Sequence, residues 1–151
     1  MSAYTKADIY LDDMKDLLDT YWVEYAELPK PQLKVTNDPL DSHNIRVNLQ
    51  DGDAIIIRSD SPEQIKPRGN YIYFDRIVSV SLEMLTMKDR QRLYDMWRQV
   101  RVICWNQKHD FPNYQLIKIG SWQEYTNEEE NLWRGIARIS LENNAILAET
   151  A

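Results

Sequence analysis

Glycine is scarce in this chain: Gly52, Gly69, Gly120 and Gly135 are the only four among 151 residues, and no two are grouped. A phosphate-cradling P-loop and a dinucleotide fingerprint both need clustered glycines that let the backbone approach the ligand closely, so both are excluded. Cysteine is scarcer still. Cys104 stands alone, which permits neither an intrachain disulfide nor a thiolate metal cluster. The two histidines, His43 and His109, make no H-x-x-x-H pair, so a zinc site would have to gather ligands scattered through the fold. Long apolar runs are missing as well; the longest span a few residues, far short of a membrane crossing. The first residues carry Lys6, Asp8 and Asp12 in a helical pattern where a secretory signal would have an apolar core. The chain is therefore expected to be made and folded in a cytoplasm. Positive charge is also in deficit, 18 Lys and Arg against 24 Asp and Glu, for a net charge of −6. That balance argues against a protein held to nucleic acid by phosphate contacts, though not against one that DNA merely passes.

What is present suits one globular domain over residues 1–151, with 145–151 expected to fray. The hydrophobic fraction of 43% and charged fraction of 28% are ordinary. Five Trp and nine Tyr against two Phe are less so. Their apolar bodies and polar tips suit half-buried and interface positions, although filling a modest core is the plainer reading.

Thr5 and Asp8 have the spacing of a capping box, and Tyr10, Met14, Leu17, Leu18, Tyr21 and Tyr25 then recur at three- and four-residue steps. They predict a first helix over about 5–25, with Asp12, Asp13, Lys15, Asp16 and Asp19 on its opposite face and Pro29 and Pro31 ending it. Leu33–Val35 reads as a short strand. Ile45–Leu49 alternates with period two, and Asp51-Gly52 is a hairpin turn leading into Ala54–Ile57, so two paired strands are expected there. Ser59–Asn70, with two prolines, one glycine and no apolar periodicity, reads as a long solvated loop. The clearest strand follows: Val78, Val80, Leu82 and Met84 alternate with Ser79, Ser81 and Glu83, one face buried and the other wet, in a pattern extending back to Tyr71. Thr86 with Asp89 is a second capping pair, opening a helix over about 87–106 whose apolar stripe is Leu93, Met96, Trp97, Val100 and then Ile103 or Cys104. Tyr114–Ile119 reads as a strand that Gly120 ends, with Trp122–Tyr125 continuing beyond a bulge. Thr126–Asn131 is an acidic loop, and Trp133, Gly135, Ala137, Ile139 and Leu141 share one face of a last strand. The expected fold is α+β: a mainly antiparallel sheet packed on one face by two helices.

Candidate chemistry is thin. His43 lies near Asp38 and Asp41, which admits a metal-dependent hydrolase, but Asn, Asp and Ser gather in turns for backbone hydrogen bonding alone. His109 sits beside Pro112 in a turn. Cys104 falls on the apolar stripe of the second helix and reads as a small core residue rather than a nucleophile. Glu128, Glu129 and Glu130 read as a solvated loop rather than a catalytic pair, and Asp51-Gly52-Asp53 lacks the further ligands of a calcium loop. No catalytic residue, cofactor or metal site is expected.

The stretch from Tyr71 to Leu141 runs RIVSVSLEML into a charged helix opening TMKDRQRLY and continuing MWRQVRVI, then a strand pair and a final strand opening LWRGIARISL. This arrangement resembles the tail terminator, or tail-completion, proteins of tailed phages and tailed archaeal viruses. The resemblance covers about half the chain plus the N-terminal helix; it rests on element order and on the Asp89-Arg90, Leu93-Tyr94, Val100-Arg101 and Ile103 texture, with residues 33–53 as an insertion or a variant hairpin. It implies a structural, non-enzymatic virion protein whose copies form a ring, commonly hexameric, that caps the tail tube and joins it to the head-side connector, with DNA passing through unbound. Ring subunits need surface for two neighbours. The residues expected to supply it are Arg90, Arg92, Arg98 and Arg101 on the second helix, Arg134 and Arg138 on the last strand, and Trp122. Arg58, Glu63, Lys66 and Arg68 in and beside the Ser59–Asn70 loop, with Glu128, Glu129 and Glu130 in the acidic loop, complete the set. An adaptor domain that binds another protein is the alternative, and a hydrolase using the Asp38–His43 region the second.

Overall fold

The computed structural model describes residues 9–24, 29–36, 49, 52–68, 73–125 and 131–147. In chain order its elements are helix α1 (Ile9–Tyr21), strands β1 (Gln32–Thr36), β2 (Ala54–Arg68) and β3 (Tyr73–Thr86), helix α2 (Arg90–Asn106), and strands β4 (Leu116–Glu124) and β5 (Trp133–Leu147). The strands form one sheet in the order β1-β2-β3-β5-β4. Only β1 and β2 are parallel; the other three pairs are antiparallel. Both helices cover the same face, α1 over β1 and β2, and α2 over β3, β5 and β4. The expected α+β class and its mainly antiparallel sheet are thus what the chain adopts.

The core follows from two periodicities. Ile55 and Ile57 on β2, Val78, Val80, Leu82 and Met84 on β3, and Ala137, Ile139 and Leu141 on β5 alternate onto the helix-covered face. Leu93, Met96, Trp97, Val100, Ile103 and Cys104 meet them from α2. From α1 come Tyr10, Leu11, Met14, Leu17 and Leu18, closed by Trp22. Each fully buried Leu, Ile or Met contributes about 1.5–3 kcal/mol relative to exposure, so the helix stripes alone supply much of the driving force. Tyr21 does not join the α1 stripe: it is 46% exposed, because a turn of 3.6 residues brings Leu11, Leu18 and Trp22 over the sheet instead. Tyr25 lies outside the described residues.

α2 starts later than the sequence suggested. Asp89 is extended, at φ −168° and ψ 172°, and its carboxylate accepts the Arg92 backbone N–H at 2.7 Å, the geometry of an N-cap. Thr86 is not the cap but the last residue of β3, continuing its alternation onto the buried face. Its hydroxyl donates to Asp53 Oδ1 at 2.6 Å and accepts from the Lys88 N–H at 3.2 Å.

Three further expectations are corrected. The Ser59–Asn70 stretch, read as a loop, is strand as far as Arg68, paired with β3 down to Arg68↔Tyr73. Two register shifts, between Ser59 and Ser61 and between Ser61 and Gln64, take up Pro62. Pro67 is tolerated because β1 ends at the level of Arg58 and no strand among the described residues pairs β2 on that side beyond it. No apolar alternation marks this arm because Glu63–Pro67 stand clear of the core and are exposed. Second, the partner of Ala54–Arg58 opposite β3 is β1, in parallel from Gln32↔Ala54 to Thr36↔Arg58. Ile45–Asn48 lie outside the described residues, and Leu49 is not in a strand. Third, the last strand continues through Leu147, opposite Tyr73, where fraying was expected from 145. Asn143 anchors this extension, accepting the Gln115 N–H and donating to Asn113 O, both at 2.7 Å.

Candidate interaction surfaces

The flank of α2 that looks toward β4 carries Tyr94, Arg98, Arg101 and Trp105, at steps of four, three and four residues, which place them on one side of a helix. β4 is the outermost strand beside them. Its bulge between Ile119 and Trp122 uses Gly120, where a Cβ would meet Arg138 O at 2.5 Å, so the kink requires the missing side chain. The kink turns Trp122 back over Gly135, whose absent Cβ makes room for the indole. Trp122 then stacks on Trp97 of α2 with ring centroids 5.0 Å apart and planes 11° from parallel. Arg90 Nε donates to Glu124 Oε1 at 3.0 Å and closes the same seam nearer the helix start.

Beyond this seam opens a groove of about 400 Å³ lined by Arg98, Arg101, Val102, Trp105, Asn106 and Ile119. Trp105 is 62% exposed and Val102 47%. Lys108 Nζ sits 3.7 Å from the centre of the Trp105 ring, and the Arg101 guanidinium lies over Trp97 at 5.3 Å. Exposed tryptophan flanked by arginines is the composition that protein interfaces concentrate.

The sheet face away from the helices holds a second group. Glu83, at the centre of β3, is only 7% exposed. Arg134 Nη2 donates to its Oε2 at 2.7 Å, and an Arg58 Nη lies 3.7 Å from its Oε1. Ser81 is buried beside it, so the wet face read from the alternation is in fact dry at its middle. The cause is topological: β3 is central, and long arginines from both neighbouring strands lay their stems across it. Ala54, Ile56 and Leu85 add a small apolar patch on this face. Farther out, the exposed Arg138 donates to Asp60 at 3.3 Å and Lys118 pairs with Glu142 at 3.0 Å.

The expected contact residues therefore separate. Arg98 and Arg101 line the groove; Lys66 is exposed on the outer arm of β2; Glu63 there pairs with Arg76 at 2.8 Å. Arg68 ends β2 opposite Tyr73. Arg90, Arg134 and Arg138 are engaged within the chain, as is Trp122 through its stack, and Arg58 lies largely buried. Arg92 departs from expectation: it is 6% exposed and ion-pairs with Asp53, which fastens α2 to the start of β2. Glu128, Glu129 and Glu130 lie outside the described residues. Trp105 and Val102 were missed because the apolar stripe was followed only along the buried face; the four-three-four run from Tyr94 to Trp105 was the readable signal.

α1 carries the opposite charge. Asp12, Asp16 and Asp19 follow one another on the side away from the core, with Asp13 beside them. Burial raises the Asp13 carboxyl above its ordinary range, and the neighbouring charges of Asp16 and Asp12 add to the rise. Lys30 pairs with Asp19 at 2.9 Å.

Catalytic features do not assemble among the described residues. Cys104 is fully buried, and burial pushes its thiol up to about 12. His109 is exposed, with Nδ1 3.3 Å from Gln115 O. No three His, Cys, Asp or Glu among the described residues are grouped to hold a metal ion; Asp38, Asp41 and His43 lie outside them. No helix among the described residues is long and apolar enough to cross a membrane. No family model and no curated protein matches the sequence.

Proposed function

We propose that the chain is a structural subunit of a closed ring, of the kind that terminates the tail or forms the neck of a tailed virus, capping the tube and joining it to the head-side connector. The observation that carries this reading is the separation of two unlike surfaces on one rigid sheet. The basic, tryptophan-bearing groove lies at the β4 edge, and the acidic helix α1 lies over β1 and β2 toward the other. A subunit with different, complementary surfaces at its two ends associates head to tail, and a head-to-tail contact closes into a ring when its rotation divides a full turn. The long strand β3 running into α2 and the strands that follow, with α1 ahead of them, support the same reading, as they are the elements on which the resemblance to tail terminators rests. The β2–β3 arm, exposed from Glu63 to Pro67, gives such a ring a projection toward its axial neighbours. A net charge of −6 per copy lets DNA pass the lumen without adhering.

Negative-stain electron microscopy of the purified chain at high concentration, alone and mixed with tail tubes, tests this. Ring-shaped particles with a central pore, free or seated on tube ends, are the expected result. A chain that stays monomeric in both settings overturns it. A second reading, an adaptor that binds another protein, is favoured by the outer side of β4 alone, which no strand among the described residues covers.

A further inference from the structure

The geometry points to one specific contact, which rests on the ring reading above: the α2–β4 groove of one copy receives the outer face of α1 from the next copy. The occupant is identified by charge and spacing together. Arg98 and Arg101 project into the groove, and no carboxylate among the described residues pairs with either. The chain as a whole is acidic, so two copies repel unless opposite charges are brought face to face.

The acidic surface in question is regular. Asp16 and Asp19 are three residues apart on α1, as Arg98 and Arg101 are on α2, a rise of about 4.5 Å in each case. Farther along α2, Trp105 follows Arg101 by four residues and is 62% exposed, while Val23, 49% exposed, lies just past the end of α1. Laid parallel, the two helices therefore set Asp16 on Arg98 and Asp19 on Arg101, with Trp105 facing the end of α1. The two charge contacts share one register. Arg90 is held by Glu124 and Lys108 by the Trp105 ring, so both stay on their own copy. Lys30 pairs with Asp19 and Lys15 lies one turn before it, so both cations border the contact, while Asp12 and Asp13 extend the acidic surface toward the start of α1. Arg101, already stacked over Trp97, offers its outward edge to the incoming carboxylate.

Charge exchange tests the contact. One variant carries Arg98→Glu and Arg101→Glu; a second carries Asp16→Lys and Asp19→Lys; all four positions are exposed, so the fold tolerates them. Sedimentation velocity should show each variant alone self-associating on the order of a hundredfold more weakly than the parent, because like charges now face each other. An equimolar mixture should regain association, since each variant then meets a complementary surface, and a chain with all four changes should assemble by itself. Trp105→Ala should weaken association without altering its salt dependence. If the parent assembles and the single-surface variants assemble equally well, this contact is wrong while the ring reading survives. A parent that remains monomeric throughout, both alone and with tail tubes present, overturns the ring reading itself.

Discussion

Replacing Gly135 with alanine should unseat Trp122 and loosen β4 from α2. A Cβ at this position would fall within the Trp122 ring, against Cη2, Cζ2 and Cζ3, so the indole must leave its place on Trp97 to make room. Overpacking of this kind costs about 1–3 kcal/mol. Losing the offset stack adds about 0.5–1.5 kcal/mol. The sum is about 1.5–4.5 kcal/mol, which for a chain of this size lowers Tm by about 3–18 °C. Thermal denaturation followed by circular dichroism measures the loss. The near-ultraviolet signal from the coupled indoles should fall in the native state well below the transition. A double-mutant cycle gives the sharper test: in a Trp122→Ala background, Gly135→Ala should be close to neutral, because the atoms it displaces are gone. If Gly135→Ala lies within 0.5 kcal/mol of the parent, or costs the same with and without Trp122, the reasoning about this seam is refuted.

Other expectations follow from the same geometry. Asp89→Ala removes the N-cap of α2 and should cost about 1 kcal/mol in denaturant titration. Arg92→Leu strands the Asp53 carboxylate at the base of α2 and should cost about 3–5 kcal/mol, whereas Arg92→Leu with Asp53→Asn should recover part of that. Glu83→Ala leaves Arg58 and Arg134 without their shared acceptor and should cost about 3 kcal/mol, while Arg138→Ala, on an exposed pair, should change stability by under about 1 kcal/mol. Burial holds the Cys104 proton in the folded chain up to about pH 12, whereas the unfolded thiol loses it near 9.0. Its contribution to stability is thus complete below pH 9 and is lost as pH rises toward 12; a Cys104→Ala variant should lose stability less steeply over that window, and a chromogenic disulfide reagent at pH 8 should label the parent only on unfolding.

The sequence was most readable where burial imposes a strict period. Val78 to Met84 and Leu93 to Cys104 declare their elements because every inward position is apolar. The bulge at Gly120 was readable for a different reason, a glycine between two strand-like runs. Pattern failed where no face is buried. The arm of β2 from Glu63 to Pro67 is held by backbone bonds to β3, which no side chain advertises, and Pro67 is harmless there because no strand among the described residues pairs with its other side. The parallel pairing of β1 was hidden as well, since a five-residue strand carries no mark of its partner. The surface was half legible: Arg98 and Arg101 were singled out by charge, but Trp105 was passed over, and Arg92 was misplaced outward although its position in the helix turns it toward the sheet. Charge alone does not distinguish an arginine that waits for a partner from one that already has one.

The central claim is that this chain works by closing a ring with copies of itself. Native mass spectrometry of the parent chain over a wide concentration range tests it most directly. The account predicts a single closed oligomer growing at the expense of monomer, with no ladder of intermediate sizes. An open-ended series of oligomers, or a monomer at every concentration that also forms no rings on added tail tubes, would contradict it.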